Sequence, residues 1–265
     1  MSSSSTATAP SSGPLKVWLE KDDRLLRLRL ARPKANIVDA QMIEALSAAF
    51  DKHLGSAKLS AVLVDAEGPH FSFGASVAEH MPDQCEAMLK SLHSLIIQML
   101  DCPVPILVAI QGQCLGGGLE VALAGNLLFC QPDANLGQPE IKLAVFAPAA
   151  SCLLPERIGQ SQAEDLLFSG RSINGNEALA IGLVNEVNDD PSAAAEAYFD
   201  NHLSQGSASS LRFAVKAVRA DPVERIKNKL AQVEALYLQE LMATHDAVEG
   251  LQAFVEKRAA NWEHR

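Results

Sequence analysis

Three consecutive glycines, Gly116-Gly117-Gly118, stand between an apolar strand-like run at residues 106–110 and a helix-like run at residues 119–124. No other feature restricts the fold as much. A strand that passes through glycine straight into a helix belongs to α/β architecture. Glycine at that turn lets main-chain N–H groups approach a bound group closely, and the helix start adds positive potential. Glu120 closes the glycine run and is followed by Val121-Ala122-Leu123-Ala124, which leaves its carboxyl little polar company. Twenty positions later Glu140 closes Gly137-Gln138-Pro139-Glu140. A carboxyl in apolar surroundings resists ionisation and suits proton transfer. The joint pattern describes an anion hole flanked by an acid/base pair. Each part also has a plainer reading: a flexible turn, a solvated helical glutamate, and a Glu140 that caps a turn or pairs with Lys142.

Composition narrows the partners. The 265 residues suffice for a large core, and 48% hydrophobic with 20% charged residues is ordinary for a globular chain. A net charge of −10 with no basic tract argues against nucleic acid and against anionic membranes. The five cysteines are widely spaced, odd in number and free of any C-x-x-C, which argues for small buried side chains in a reducing compartment. The seven histidines show no metal-ligand spacing, so no metal is expected. No apolar run reaches membrane-spanning length, and residues 1–14 read as an uncharged disordered tail and not as a targeting signal, which makes the cytoplasm the expected location.

Periodicity gives the rest of the plan. Residues 16–20 and 25–30 read as a hairpin, the second strand alternating leucine with Arg27 and Arg29. Asp39 is placed to cap a helix reaching about residue 54. A buried strand at 59–65, a loop at 68–76 and a helix from Pro82 to about residue 100 follow. Strand-like pieces come at 127–130, 134–137 and 183–187. From Pro148 the chain is mostly helical, and residues from about 191 to 262 read as helices, with breaks near Gly206, Asp221-Pro222 and Thr244-His245-Asp246. The expected division is therefore a tail (1–14), an α/β core (15–190) and a helical C-terminal region (191–265).

Longer stretches carry a resemblance. P-V-P-I-L-V-A-I-Q-G-Q-C-L-G-G-G-L-E, L-G-Q-P-E-I-K-L and S-G-R-S-I-N-G-N-E-A-L-A-I-G-L-V-N-E-V, with F-S-F-G-A-S before and E-G-L-Q-A-F-V-E-K-R-A-A-N-W after, resemble the enoyl-CoA hydratase/isomerase (crotonase) family over nearly all of residues 15–262. The resemblance implies a spiral of strand-strand-helix units, an acyl-CoA thioester as substrate, no cofactor beyond the coenzyme A that belongs to the substrate, and a homotrimer or homohexamer formed through the C-terminal region. It implies that Ala75 and Gly117 supply the two N–H groups of an oxyanion hole, with Gly74 and Gly116 beside them. It makes Glu120 and Glu140 the catalytic pair, by analogy base and acid in that order. Lys34 and Ala35 would line the nucleotide, while Phe254 and Lys257 would reach a neighbouring subunit's coenzyme A. Plainer readings of those last two are a core aromatic and a solvated charge.

Departures from the family pattern are also informative. Val145-Phe146-Ala147-Pro148-Ala149-Ala150-Ser151 replaces the usual I-P-G-A-G-G-T, so Phe146 adds bulk and Pro148 removes a donor from a loop at the acyl end of the pocket. Ser76 and Ala78 replace an aspartate and a lysine, so a usual phosphate contact is missing. This variant resembles a branch of the family that adds water to a cyclic dienoyl thioester. A straight-chain hydratase, a double-bond isomerase and a non-catalytic scaffold are the alternatives, and the two intact glutamates favour hydration. His70 and His80 flank the first oxyanion turn, where each either lines the pocket or serves as a loop histidine.

Overall fold

The computed structural model describes residues 13–265, so the expected tail lies outside the described residues except for Gly13 and Pro14. The hairpin forms as β1 (Leu15–Glu20) and β2 (Leu25–Leu30), with Leu15 opposite Leu30. Asp39 caps α1 (Ala40–His53) by accepting a hydrogen bond from Met42 N, and Arg32 grips the same carboxylate. β3 (Ala61–Ala66) follows. α2 (Cys85–Leu100) begins later than Pro82 suggests. Met81 is extended, as the residue before a proline prefers, and Gln84 closes a turn onto it before the helix starts.

β4 (Ile106–Ile110) and β5 (Gln113–Leu115) lead into α3 (Gly117–Leu123), which starts inside the glycine run. β6 (Leu127–Cys130), β7 (Asn135–Gly137) and α4 (Pro148–Ser169) come next. β8 (Ser172–Asn174), α5 (Gly175–Ala180) and β9 (Glu186–Val187) complete the strands, the last being shorter than the expected piece at 183–187. α6 (Pro191–Tyr198), α7 (Ala208–Gln239) and α8 (His245–Val255) finish the chain. The expected break at Asp221-Pro222 does not occur. α7 continues through Pro222, because the one lost hydrogen bond is outweighed by burial of Val223, Ile226, Leu230 and Tyr237. No helix among the described residues is long and apolar enough to cross a membrane.

The strands make two sheets. The larger has the order β1-β2-β3-β4-β6-β9 and is parallel except for the β1–β2 hairpin. Every residue of β3 and β4 is buried, as expected of parallel strands covered on both faces. One face packs on α1, α2 and α3. On the other, Leu63, Leu107 and Phe129 lie under Ala195 of α6 and Phe199 just beyond it. The smaller sheet, β5-β7-β8, positions the site. β5 also pairs with the loop before α2: Ser72 N donates to Gln113 O at 2.9 Å, and Leu115 N donates to Ser72 O at 3.0 Å. That pairing brings the Gly74-Ala75 turn alongside the glycine run.

Candidate active site

The two turns meet closely enough to exclude any side chain on Gly117. A Cβ there would lie 2.9 Å from the Ala75 Cβ and 3.1 Å from Ala75 N. Gly117 is the first residue of α3, where an N–H has no acceptor within its own helix. Among the described residues no main-chain carbonyl accepts from Ala75 N or Gly117 N. Two adjacent, unengaged donors are what a developing oxyanion requires. Gly116 serves a second purpose. It takes φ +50°, and a Cβ there would sit 2.6 Å from Glu140 Oε1, so the glycine brings backbone against that carboxyl.

Glu120 points from α3 to the start of α4, where Ala150 N donates to its Oε1 at 2.8 Å. The expected loop around Phe146 and Pro148 is therefore partly a helix. Pro148 occupies its first turn, where a missing N–H costs nothing, and the following amides are left to hold Glu120. Burial raises the Glu120 pKa above its ordinary value, opposed by the Ala150 amide, the neighbouring His93 and the Ala149 amide. Glu140 lies in the short 3-10 helix Pro139–Leu143, which places it across from the glycine run. Burial first, and then the charge of Glu120, push its carboxyl up to about 8. The buried Gln138 amide faces it: with nitrogen inward, it donates to both carboxyl oxygens at 3.1 Å. With oxygen inward, the same amide accepts from a protonated Glu140, so the contact suits either state.

Both glutamates line one cavity with Gly74, Ala75, Gly116, Gly117, Phe146 and Pro148. Leu89 and Leu92 of α2, Val145 and Leu251 of α8 complete an apolar wall. His80 faces the cavity as well. His70 does not: its Nδ1 accepts from Gln113 N at 3.1 Å and its ring packs edge-on to Phe73. Lys34 and Ala35 do not line the cavity, although Ala35 O accepts from the N of the lining residue Phe73 at 2.9 Å. Phe254 and Lys257 do not reach the cavity of their own chain, and Phe254 is 54% exposed at the end of α8.

Sequence reasoning missed three contributors. The Ala150 amide is invisible in a sequence, since any residue supplies an amide; Pro148 at a helix start was the available sign. Leu251 comes from α8, far along the chain, and no local pattern links it to Glu120. Tyr237 of α7 packs edge-on behind Phe146, with ring centroids 5.2 Å apart, and backs the wall that the altered loop presents.

The chain has clear relatives among known proteins. The sequence pattern of the family described as enoyl-CoA hydratase/isomerase matches residues 20–265. The chain is 71% identical over 254 residues to cyclohexa-1,5-dienecarbonyl-CoA hydratase of Thauera aromatica, covering 96% of this chain and 98% of that one. It is 31% identical to a probable enoyl-CoA hydratase of Bacillus subtilis, covering 91% and 96%. The crystal structure of an enoyl-CoA hydratase from Mycobacterium avium superposes with a TM-score of 0.85 at 20% identity, covering 95% of this chain and all of that one.

Proposed function

The chain belongs to the enoyl-CoA hydratase/isomerase family, and from that premise we propose that it is a hydro-lyase adding water to cyclohexa-1,5-diene-1-carbonyl-CoA, giving 6-hydroxycyclohex-1-ene-1-carbonyl-CoA. The observation that carries the mechanism is the pair of unengaged amides, Ala75 N and Gly117 N, meeting beside two carboxyls in an apolar cavity. The thioester carbonyl accepts from both amides. Glu120 is the base. Its carboxylate accepts from Ala150 N, and a hydrogen bond to the charged form keeps that form available despite burial. Glu140, raised by burial and by its charged neighbour, retains its proton and is the acid.

Glu120 takes a proton from water, and the hydroxide adds to the ring carbon β to the thioester. Negative charge passes to the thioester oxygen, where the two amides stabilise it, and spreads over the second double bond. Glu140 then protonates the far end of the diene, completing a 1,4-addition. A planar ring needs flat apolar walls, and Phe146 with Pro148, backed by Tyr237, supply one. The reaction needs no metal and no cofactor, since coenzyme A arrives with the substrate. The enzyme acts in the cytoplasm as a homotrimer or homohexamer, in which Phe254 and Lys257 reach the nucleotide bound by a neighbour.

Chromatography of products from the purified protein tests the reading. The cyclic dienoyl-CoA should be hydrated at least tenfold faster than crotonyl-CoA, the straight-chain alternative. Faster hydration of crotonyl-CoA would refute the ring-specific assignment.

A further inference from the structure

Among the described residues, His80 is the one hydrogen-bonding side chain in the cavity besides the glutamates. Phe73, Val77, Leu89, Leu92, Phe146 and Leu251 make the surroundings apolar. In a pocket of that kind, isolated polar groups fix the orientation of a ligand. His80 is itself held in place. Its Nδ1 lies 2.8 Å from Ser76 O. A carbonyl oxygen only accepts, so Nδ1 carries the hydrogen. In the neutral ring Nε2 is then an acceptor with its lone pair unused, since among the described residues no group donates to it. Burial lowers the His80 pKa, with the Ser76 hydrogen bond opposing, and this keeps the ring neutral. The oxyanion turn also depends on this region, because Ser76 follows Ala75 directly and opens the short helix Val77–His80.

The glutamates exchange protons, and the amides hold the thioester oxygen. Neither provides a permanent partner for the hydroxyl that hydration installs on the ring. We propose that His80 Nε2 accepts the hydrogen that the attacking water keeps, which becomes the hydrogen of the new hydroxyl group, and so sets where that water meets the ring. His80 thereby acts as a specificity residue for hydroxylated cyclic acyl-CoA. The inference rests on the hydratase reading above and assigns a further contact within the same site.

Two ligands isolate the effect: 6-hydroxycyclohex-1-ene-1-carbonyl-CoA and cyclohex-1-ene-1-carbonyl-CoA, which lacks the hydroxyl. Binding of each is measured by calorimetry to the wild-type protein, His80→Leu and His80→Gln. The preference for the hydroxylated ligand should fall roughly tenfold or more in His80→Leu, the consequence of stranding a buried hydroxyl. It should survive in large part in His80→Gln, which keeps an acceptor at similar reach. Nitrogen-15 NMR of histidine-labelled wild type needs no variant. The His80 Nε2 resonance should be of the unprotonated type and should move with the hydroxylated ligand but not with its deoxy analogue. Equal loss of both ligands in His80→Leu, or an Nε2 resonance that responds alike to both, overturns the proposal. The outcomes separate cleanly from those of the functional reading. If the wild type cannot form the hydroxylated product from the diene, that reading fails. If it forms the product and His80 ignores the hydroxyl, only this inference fails.

Discussion

Two regions of the molecule bury a carboxyl group almost completely, and the outcomes are opposite. Asp65 in β3 is 2% exposed, and Glu120 in α3 is 3% exposed. Burial by itself raises the pKa of both. At Asp65 two guanidinium groups overturn that effect. Arg29 donates from Nε at 2.8 Å and Nη2 at 2.6 Å, Arg27 from Nη1 at 2.8 Å, and Ser192 Oγ adds a neutral donor at 2.9 Å. The result is a carboxylate held below its ordinary pKa, fixed in charge and in place. Glu120 has amides where Asp65 has arginines, and its nearest acidic neighbour is Glu140, whose own pKa is raised partly by it. A full countercharge locks the proton off. Dipoles together with a second carboxyl leave it free to move. Burial of a carboxyl thus says nothing about catalysis until its partners are known.

The sharpest way to break this contrast is to remove the charge at each place without changing its shape. Glu120→Gln and Glu140→Gln should each reduce the hydration rate roughly 10²–10⁴-fold, the usual contribution of a positioned acid or base. Neither should lower the melting temperature, since each replaces a poorly solvated acid with a neutral amide. Steady-state rates alongside thermal melts would check both halves. A variant that keeps near-normal turnover would remove that glutamate from the mechanism. Asp65→Asn should do the reverse. It leaves Arg27, itself only 4% exposed, short of a buried partner, and should cost about 3–5 kcal/mol in urea unfolding. Its turnover per folded molecule should stay near that of wild type, because the cluster belongs to β2, β3 and α6 and contributes no residue to the cavity. Catalytic loss with intact stability at Asp65 would show that the two regions are coupled.

The same contrast explains what the sequence discloses. Elements announced by local chemistry are readable: the Asp39 cap, the β1–β2 hairpin, β4 before its glycines. Glu120 and Glu140 are readable because apolar residues or glycine surround them in the chain itself. Asp65 is not distinguishable from them by burial, since its arginines lie on β2, more than thirty positions away in sequence. β5 and β8, three residues each, are too short for an alternating pattern to register, yet β5, through its pairing with Ser72, brings the two oxyanion turns together. Pro148 stands at a helix start, where a proline belongs, whereas Pro222 misleads. A proline marks a break only where its missing N–H was needed. The first turn of α4 does not need it, and the packed length of α7 absorbs the loss.

The most gradual expected effect concerns pH, and it has opposite signs in the two regions. The folded state holds Asp65 below the ordinary value of 3.8. Its stabilisation is therefore complete above that value and is lost only as the pH falls through the lowered folded value. Glu140 is displaced upward, from 4.5 to about 8. The folded state then binds the proton more tightly than the unfolded chain, so stability declines as the pH rises across that interval. The slope for one such group is at most about 1.4 kcal/mol per pH unit. Urea unfolding of wild type and Glu140→Gln at several pH values from 5 to 8 isolates it. The two curves should converge near pH 5 and separate toward pH 8, with the Gln variant the more stable. An Asp65→Asn curve should run parallel to wild type over the same range, because Asp65 is ionised throughout it in both folded and unfolded chains. Parallel curves for Glu140→Gln would mean that this carboxyl ionises like an exposed one, and the distinction between the two buried sites would then rest on Glu120 alone.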